Sequence, residues 1–127
     1  MARYDKYDPY DGGFRAPLAA AISSANAGKA YGVGLDSSGK VVLGAGNTGI
    51  RGILIAHSAK AAGDIVDVMT DGEVVEFLTT AGAAAIAGTS YTANTGNGNI
   101  DGTAASGTQI PVGFTVELTR LVVRVAR

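Results

Sequence analysis

The chain has 127 residues and a net charge of −1, from 10 basic and 11 acidic side chains. That balance lacks the basic stripe of a nucleic-acid binder. Cysteine is absent, which removes disulfide frameworks and thiolate metal sites, and the apolar runs fall far below the ~20 residues of a membrane-spanning helix. With 46% apolar residues and 19 glycines, the composition implies one domain of short strands and tight turns.

Residues 1–16 stand apart. Tyr4, Tyr7, Tyr10 and Phe14 are half of the eight aromatic residues, and charges of alternating sign lie between them. Pro9, Gly12, Gly13 and Pro17 oppose a helix. A spacing of three matches polyproline II and would put the three tyrosines on one face of an extended arm reaching roughly 50 Å. Disordered tails are poor in aromatics, whereas Tyr and Arg are enriched at interface hot spots, so the arm reads as partner-binding. Residues 17–26 are Ala-rich and are expected to form one or two helical turns, with Pro17 at the first position. The polar start Met1–Lys6 does not resemble an export signal, so synthesis in the cytoplasm is expected.

A β body is expected from about residue 27 to 127. Strands are predicted over 31–35, 40–43, 50–56, 64–70, 73–78, 89–93, 110–117 and 121–126, separated by turn-forming clusters. Asp71-Gly72 is the strongest hairpin signal, since that dipeptide tolerates the positive φ angles of a type I′ turn. Val66 and Val68 alternate with Asp67, and Leu121, Val123 and Val125 alternate with Arg120, Val122 and Arg124. A near-repeat organises the whole: Ala27-Gly28-Lys29-Ala30-Tyr31 returns as Ala87-Gly88-Thr89-Ser90-Tyr91, and each copy leads into a glycine-centred apolar strand, around Gly52 and Gly113. One unit used twice implies an all-β sandwich or barrel built by internal duplication.

Motifs that carry chemistry are fragmentary. The run from Gly34 to Lys40 approaches a P-loop, but Val41 stands where Ser or Thr would hold magnesium, and a strand follows instead of a helix. Asn97, Asn99 and Asp101 resemble half of a calcium loop, with Thr108 where the closing Glu belongs. His57 is the only histidine; Ser58 and Asp64 lie near it, without a nucleophile-elbow pattern. Asp64, Asp67, Asp71, Glu73 and Glu76 read as solvated charges that keep sheet edges unpaired. Neither an enzymatic activity nor a cofactor or metal site is expected.

The Ala-Gly-x-x-Tyr series, the Gly-rich polar loop, Pro111-Val112-Gly113-Phe114, the Val-rich closing strand, the segment from Ala62 to Val68 and the Tyr-Asp-Lys-Tyr-Asp-Pro-Tyr arm together resemble the decoration (cement) proteins of tailed-phage capsids, of the actinobacteriophage type. The resemblance implies a compact β-tulip-like fold preceded by an extended arm. It implies a homotrimer on the outer surface of the virion head, at three-fold or quasi-three-fold positions, that binds the major capsid protein and holds the expanded shell. The residues expected to meet the capsid are Arg3, Tyr4, Tyr7, Tyr10, Phe14 and Arg15, and removal of residues 1–16 is expected to abolish binding and leave the β domain folded. Neither nucleic acid nor membrane is an expected partner. Another virion β protein, of the tail tube or a head fibre, is the alternative. A carrier module of lipoyl type, echoed by Gly63-Asp64-x-Val66, lacks the modifiable Lys at a hairpin tip.

Overall fold

The short apolar runs become eleven strands in two antiparallel sheets, and no helix occurs among the described residues. The computed structural model describes residues 3–6, 13–75, 77, 87–101, 109–117 and 120–125. The strands are β1 (Arg3–Lys6), β2 (Gly13–Pro17), β3 (Ala30–Leu35), β4 (Val41–Gly46), β5 (Gly52–Ile55) and β6 (Ile65–Met69). They continue as β7 (Asp71–Val75), β8 (Ser90–Asn94), β9 (Ile100–Asp101), β10 (Gln109–Glu117) and β11 (Arg120–Arg124).

The duplication is explicit in the topology. The first sheet runs β2-β6-β5-β3-β4 and the second runs β1-β7-β11-β10-β8-β9. With β1 set aside, each strand of the second sheet is the fifth strand after its counterpart in the first. Each sheet is therefore one copy of the unit, and β1 is an addition that pairs antiparallel with β7, through Arg3↔Val75 and Tyr4↔Val74. The near-repeat glycines do the same work twice. Gly28 and Gly88 both adopt positive φ, of 80° and 65°. The Gly28 N–H donates to the Ala56 carbonyl just beyond β5, and the Gly88 N–H donates to the Thr115 carbonyl in β10.

The main core lies between the sheets. Ala30, Ile53, Ile55 and Met69 of the first sheet meet Val74, Tyr91, Ala93, Val112, Leu121 and Val123 of the second. The Phe77 and Tyr91 rings pack edge to face, with centroids 4.9 Å apart, a geometry that contributes about 0.5–1.5 kcal/mol beyond area burial. A second core covers the far face of the first sheet. There Tyr31, Val33, Leu54, Val66 and Val68 are capped by Leu18 and Ile22. The two near-repeat tyrosines thus face different layers, Tyr31 outward and Tyr91 inward; a one-residue offset exchanges every side chain between faces.

Three expectations are corrected. Asp71-Gly72 does not turn a hairpin: both residues lie in β7, and Thr70 is the corner at which the chain leaves the first sheet for the second. β6 pairs with β5 and β2 while β7 pairs with β11 and β1, so the local turn signal yields to pairings made elsewhere. Residues 18–22 are not helical; Leu18 bridges Val41 and Ile22 bridges Lys60. Finally, residues 13–17, expected within an extended arm, are a strand of the first sheet, in register from Gly13↔Met69 to Pro17↔Ile65.

Candidate partner-binding surfaces

Of the six residues expected to meet a partner, Arg3 and Tyr4 take positions on β1, the outer strand of the second sheet. Tyr7 and Tyr10 lie outside the described residues. Phe14 and Arg15 sit on β2 and are engaged within the body: Phe14 packs against the second core, and the Arg15 guanidinium pairs with Asp67 at 2.6 Å on the neighbouring strand. The structure therefore brings Phe14 and Arg15 together on one sheet and puts Arg3 and Tyr4 on the other.

The fragmentary motifs are closed turns. In the 36–40 loop, the Asp36 carboxylate accepts the N–H groups of Ser38 and Lys40 at 2.8 and 3.0 Å. A bound phosphate would need such donors free. In the 95–99 loop, Asn94 Oδ1 accepts the N–H of Gly96 at 2.7 Å, and Asn97 Oδ1 accepts the N–H of Asn99 at 3.0 Å. These oxygens shape the backbone, as Asx turns do. The same loop docks on the first sheet, where the Gly32 N–H donates to the Gly98 carbonyl and the Ala45 N–H to the Thr95 carbonyl. No group of three metal-ligating side chains occurs among the described residues. His57 is exposed on the 56–64 connection, and the Asp64 carboxylate accepts the Ala61 N–H of that same connection.

Of the charges expected to be solvated, Asp67, Asp71 and Glu73 form cross-strand pairs, and Glu76 lies outside the described residues. Arg120 pairs with Glu73 at 2.6 Å with both side chains largely covered, and Arg124 lies 3.8 Å from Asp71. Burial among apolar neighbours raises the Tyr31 phenol above its ordinary pKa.

The surface features that sequence reading missed are apolar. Phe114 and Val116 are 46% and 51% exposed on the outward face of β10, and Ile65 is 62% exposed. Leu18, Ile22 and Val41 floor an apolar cleft of about 210 Å³ beside β4, and a second cleft of about 170 Å³ lies between His57, Lys60 and Ile65. The signal for Phe114 was present in the inverted alternation of Val112 to Val116. Thr115 turns inward to bond with Thr89, and the bulky Phe114 and Val116 turn outward.

The fold and these surfaces define a duplicated two-sheet β protein whose distinctive features are an added edge strand and an exposed apolar ridge. No family model matches the chain, and no curated protein matches it. Among solved structures it is similar to a chain from Mycobacterium phage Patience. The TM-score is 0.84 at 22% identity, over 98% of this chain and 96% of that one.

Proposed function

We propose that this chain is a structural virion protein of a tailed phage that binds the outside of the head and stabilises the expanded capsid, as a homotrimer at three-fold or quasi-three-fold positions. The observation that carries the reading is the likeness to the Mycobacterium phage Patience chain, which covers 98% of this chain and 96% of that one. The role is mechanical and uses neither catalysis nor a cofactor. The major capsid protein is the partner, met through residues 3–10, where Arg3, Tyr4, Tyr7 and Tyr10 lie; Phe14 and Arg15 already serve the body. A trimer presents three such segments, so engagement of one raises the effective concentration of the others and weak contacts sum to a durable grip.

Co-sedimentation with expanded heads of its own phage, stripped of this protein, tests the reading. The chain should pellet with the heads and delay their thermal release of DNA. Tyr7→Ala with Tyr10→Ala should weaken pelleting more than Asn97→Ala with Asn99→Ala, because only the first pair removes large interface area. A chain that stays in the supernatant, or heads no firmer with it than without, would overturn the proposal.

A further inference from the structure

We infer that copies of this chain join head to tail, with Phe114 of one copy seated in the cleft between residues 18–22 and β4 of the next. The inference rests on the homo-oligomeric part of the function proposed above, and it names the joint.

The second sheet supplies a knob. On the outward face of β10, Phe114 stands between Ser90 of β8 and Val122 of β11, both shorter, and Val116 continues the ridge. On that face Arg120 and Glu73 are engaged with one another at 2.6 Å, and Arg124 lies 3.8 Å from Asp71. The ridge therefore offers a charged partner little to answer. The first sheet supplies a socket. Its floor is Leu18, Ile22 and Val41, and its exposed rim is Ala20 and Ala21, whose small side chains leave the space open. No lining side chain is charged, and the volume of about 210 Å³ exceeds the ~150 Å³ of an apolar cavity known to admit benzene. Knob and socket match in size and in polarity.

The two units differ in one of the connections that lie over their outer faces. In the first unit, residues 18–22 and 56–64 fold back over the outer face of the sheet, tied by the reciprocal Ile22–Lys60 hydrogen bonds and by the Leu18 N–H to the Asp64 carbonyl. In the second unit the connection corresponding to 56–64 is only 118–119. The first unit covers its outer face with its own chain, whereas Phe114 and Val116 of the second stay about half exposed, and a neighbouring copy covers them in the proposed joint. Because knob and socket lie on different sheets, each copy offers one of each. Contacts of this heterologous kind continue until a ring closes, and a trimer is such a ring.

Sedimentation velocity on the wild type, Phe114→Ser and Ala20→Phe, with circular dichroism to confirm folding, tests the joint. Both substitutions fall at exposed positions. The wild type should be an oligomer, and each variant should be monomeric, with a dissociation constant raised at least tenfold. An equimolar mixture of the two should form a one-to-one dimer, because one variant keeps its socket and the other its knob. Phe114→Ser remaining at the wild-type oligomeric state would overturn the joint and leave the oligomer standing. A mixture that stays monomeric would also overturn it, in favour of a contact of like with like. A monomeric wild type that still pellets with heads would overturn self-association and leave capsid binding intact.

Discussion

Replacement of Gly113 by Ala tests the packing of the second sheet at its tightest point. A Cβ at Gly113 would fall on the backbone carbonyl of Val122, closer than any real Cβ approaches an oxygen. β10 is held between β8 and β11, so it cannot move away from one without losing register with the other. The intruded atom is backbone, which puts the cost at the upper end of overpacking, about 3 kcal/mol. Unfolding entropy of ~2.1 cal/mol/K per residue gives about 0.27 kcal/mol/K for a chain of this length, so Tm should fall by about 11 °C. Gly39→Ala is the control: its φ is +78°, and a Cβ there meets nothing within 4 Å. Only the left-handed conformation is penalised, by about 1 kcal/mol, or about 4 °C. Gly52, the counterpart of Gly113, should behave like it, since its Cβ would lie 2.7 Å from the Met69 carbonyl oxygen. Calorimetry at matched protein concentration reads all three. A Gly113→Ala protein that melts no lower than Gly39→Ala would refute the reasoning.

Two ion pairs should rank by burial. Glu73→Gln, at a pair whose side chains are 29% and 14% exposed, should lose about 1–2 kcal/mol in urea unfolding, and Asp67→Asn, at a pair 67% and 33% exposed, less than about 0.5; equal losses would contradict the ranking. Tyr31 carries a pH prediction. Its folded pKa is raised, so the folded state holds the proton longer than the unfolded state; stability is full below the ordinary pKa of 10.0 and falls as pH rises above it. Tyr31→Phe should flatten that alkaline decline relative to wild type, and parallel curves would exclude the effect. Deletion of residues 1–12 spares β2, whereas deletion of 1–16 removes most of it along with Phe14. The longer deletion should therefore be less stable by more than about 2 kcal/mol in urea midpoint analysis, and equal midpoints would place β2 outside the cooperative unit.

The strands that carry strong alternation were legible. Leu121, Val123 and Val125 face the main core as their spacing requires, and Val66 and Val68 bury while Asp67 does not. The repeated Ala-Gly-x-x-Tyr exposed the duplication, because a left-handed glycine whose N–H bonds a carbonyl at the neighbouring strand is a need met twice. Its facing was not legible: Tyr31 and Tyr91 point into different cores, and a pattern of period two carries no label for which face a second sheet will cover. Asp71-Gly72 misled for the reason that makes turn signals useful, their locality; the partners of β6 and β7 are distant in sequence. Ala-rich 17–26 has helix propensity, but burial of Leu18 and Ile22 over the first sheet outweighs a few tenths of a kcal/mol per residue. β1 and β9 are too short to show a period at all. In the longer β10, alternation separates Thr115 from Phe114 and Val116, but an apolar strand does not say which face stays exposed.

A cryo-EM map of the intact particle probes the central claim most directly. The account predicts density for this fold on the outer head surface, three copies around each occupied three-fold or quasi-three-fold position, with residues 3–10 against the major capsid protein. Density for it on the tail alone, or a head surface without it, would contradict the account.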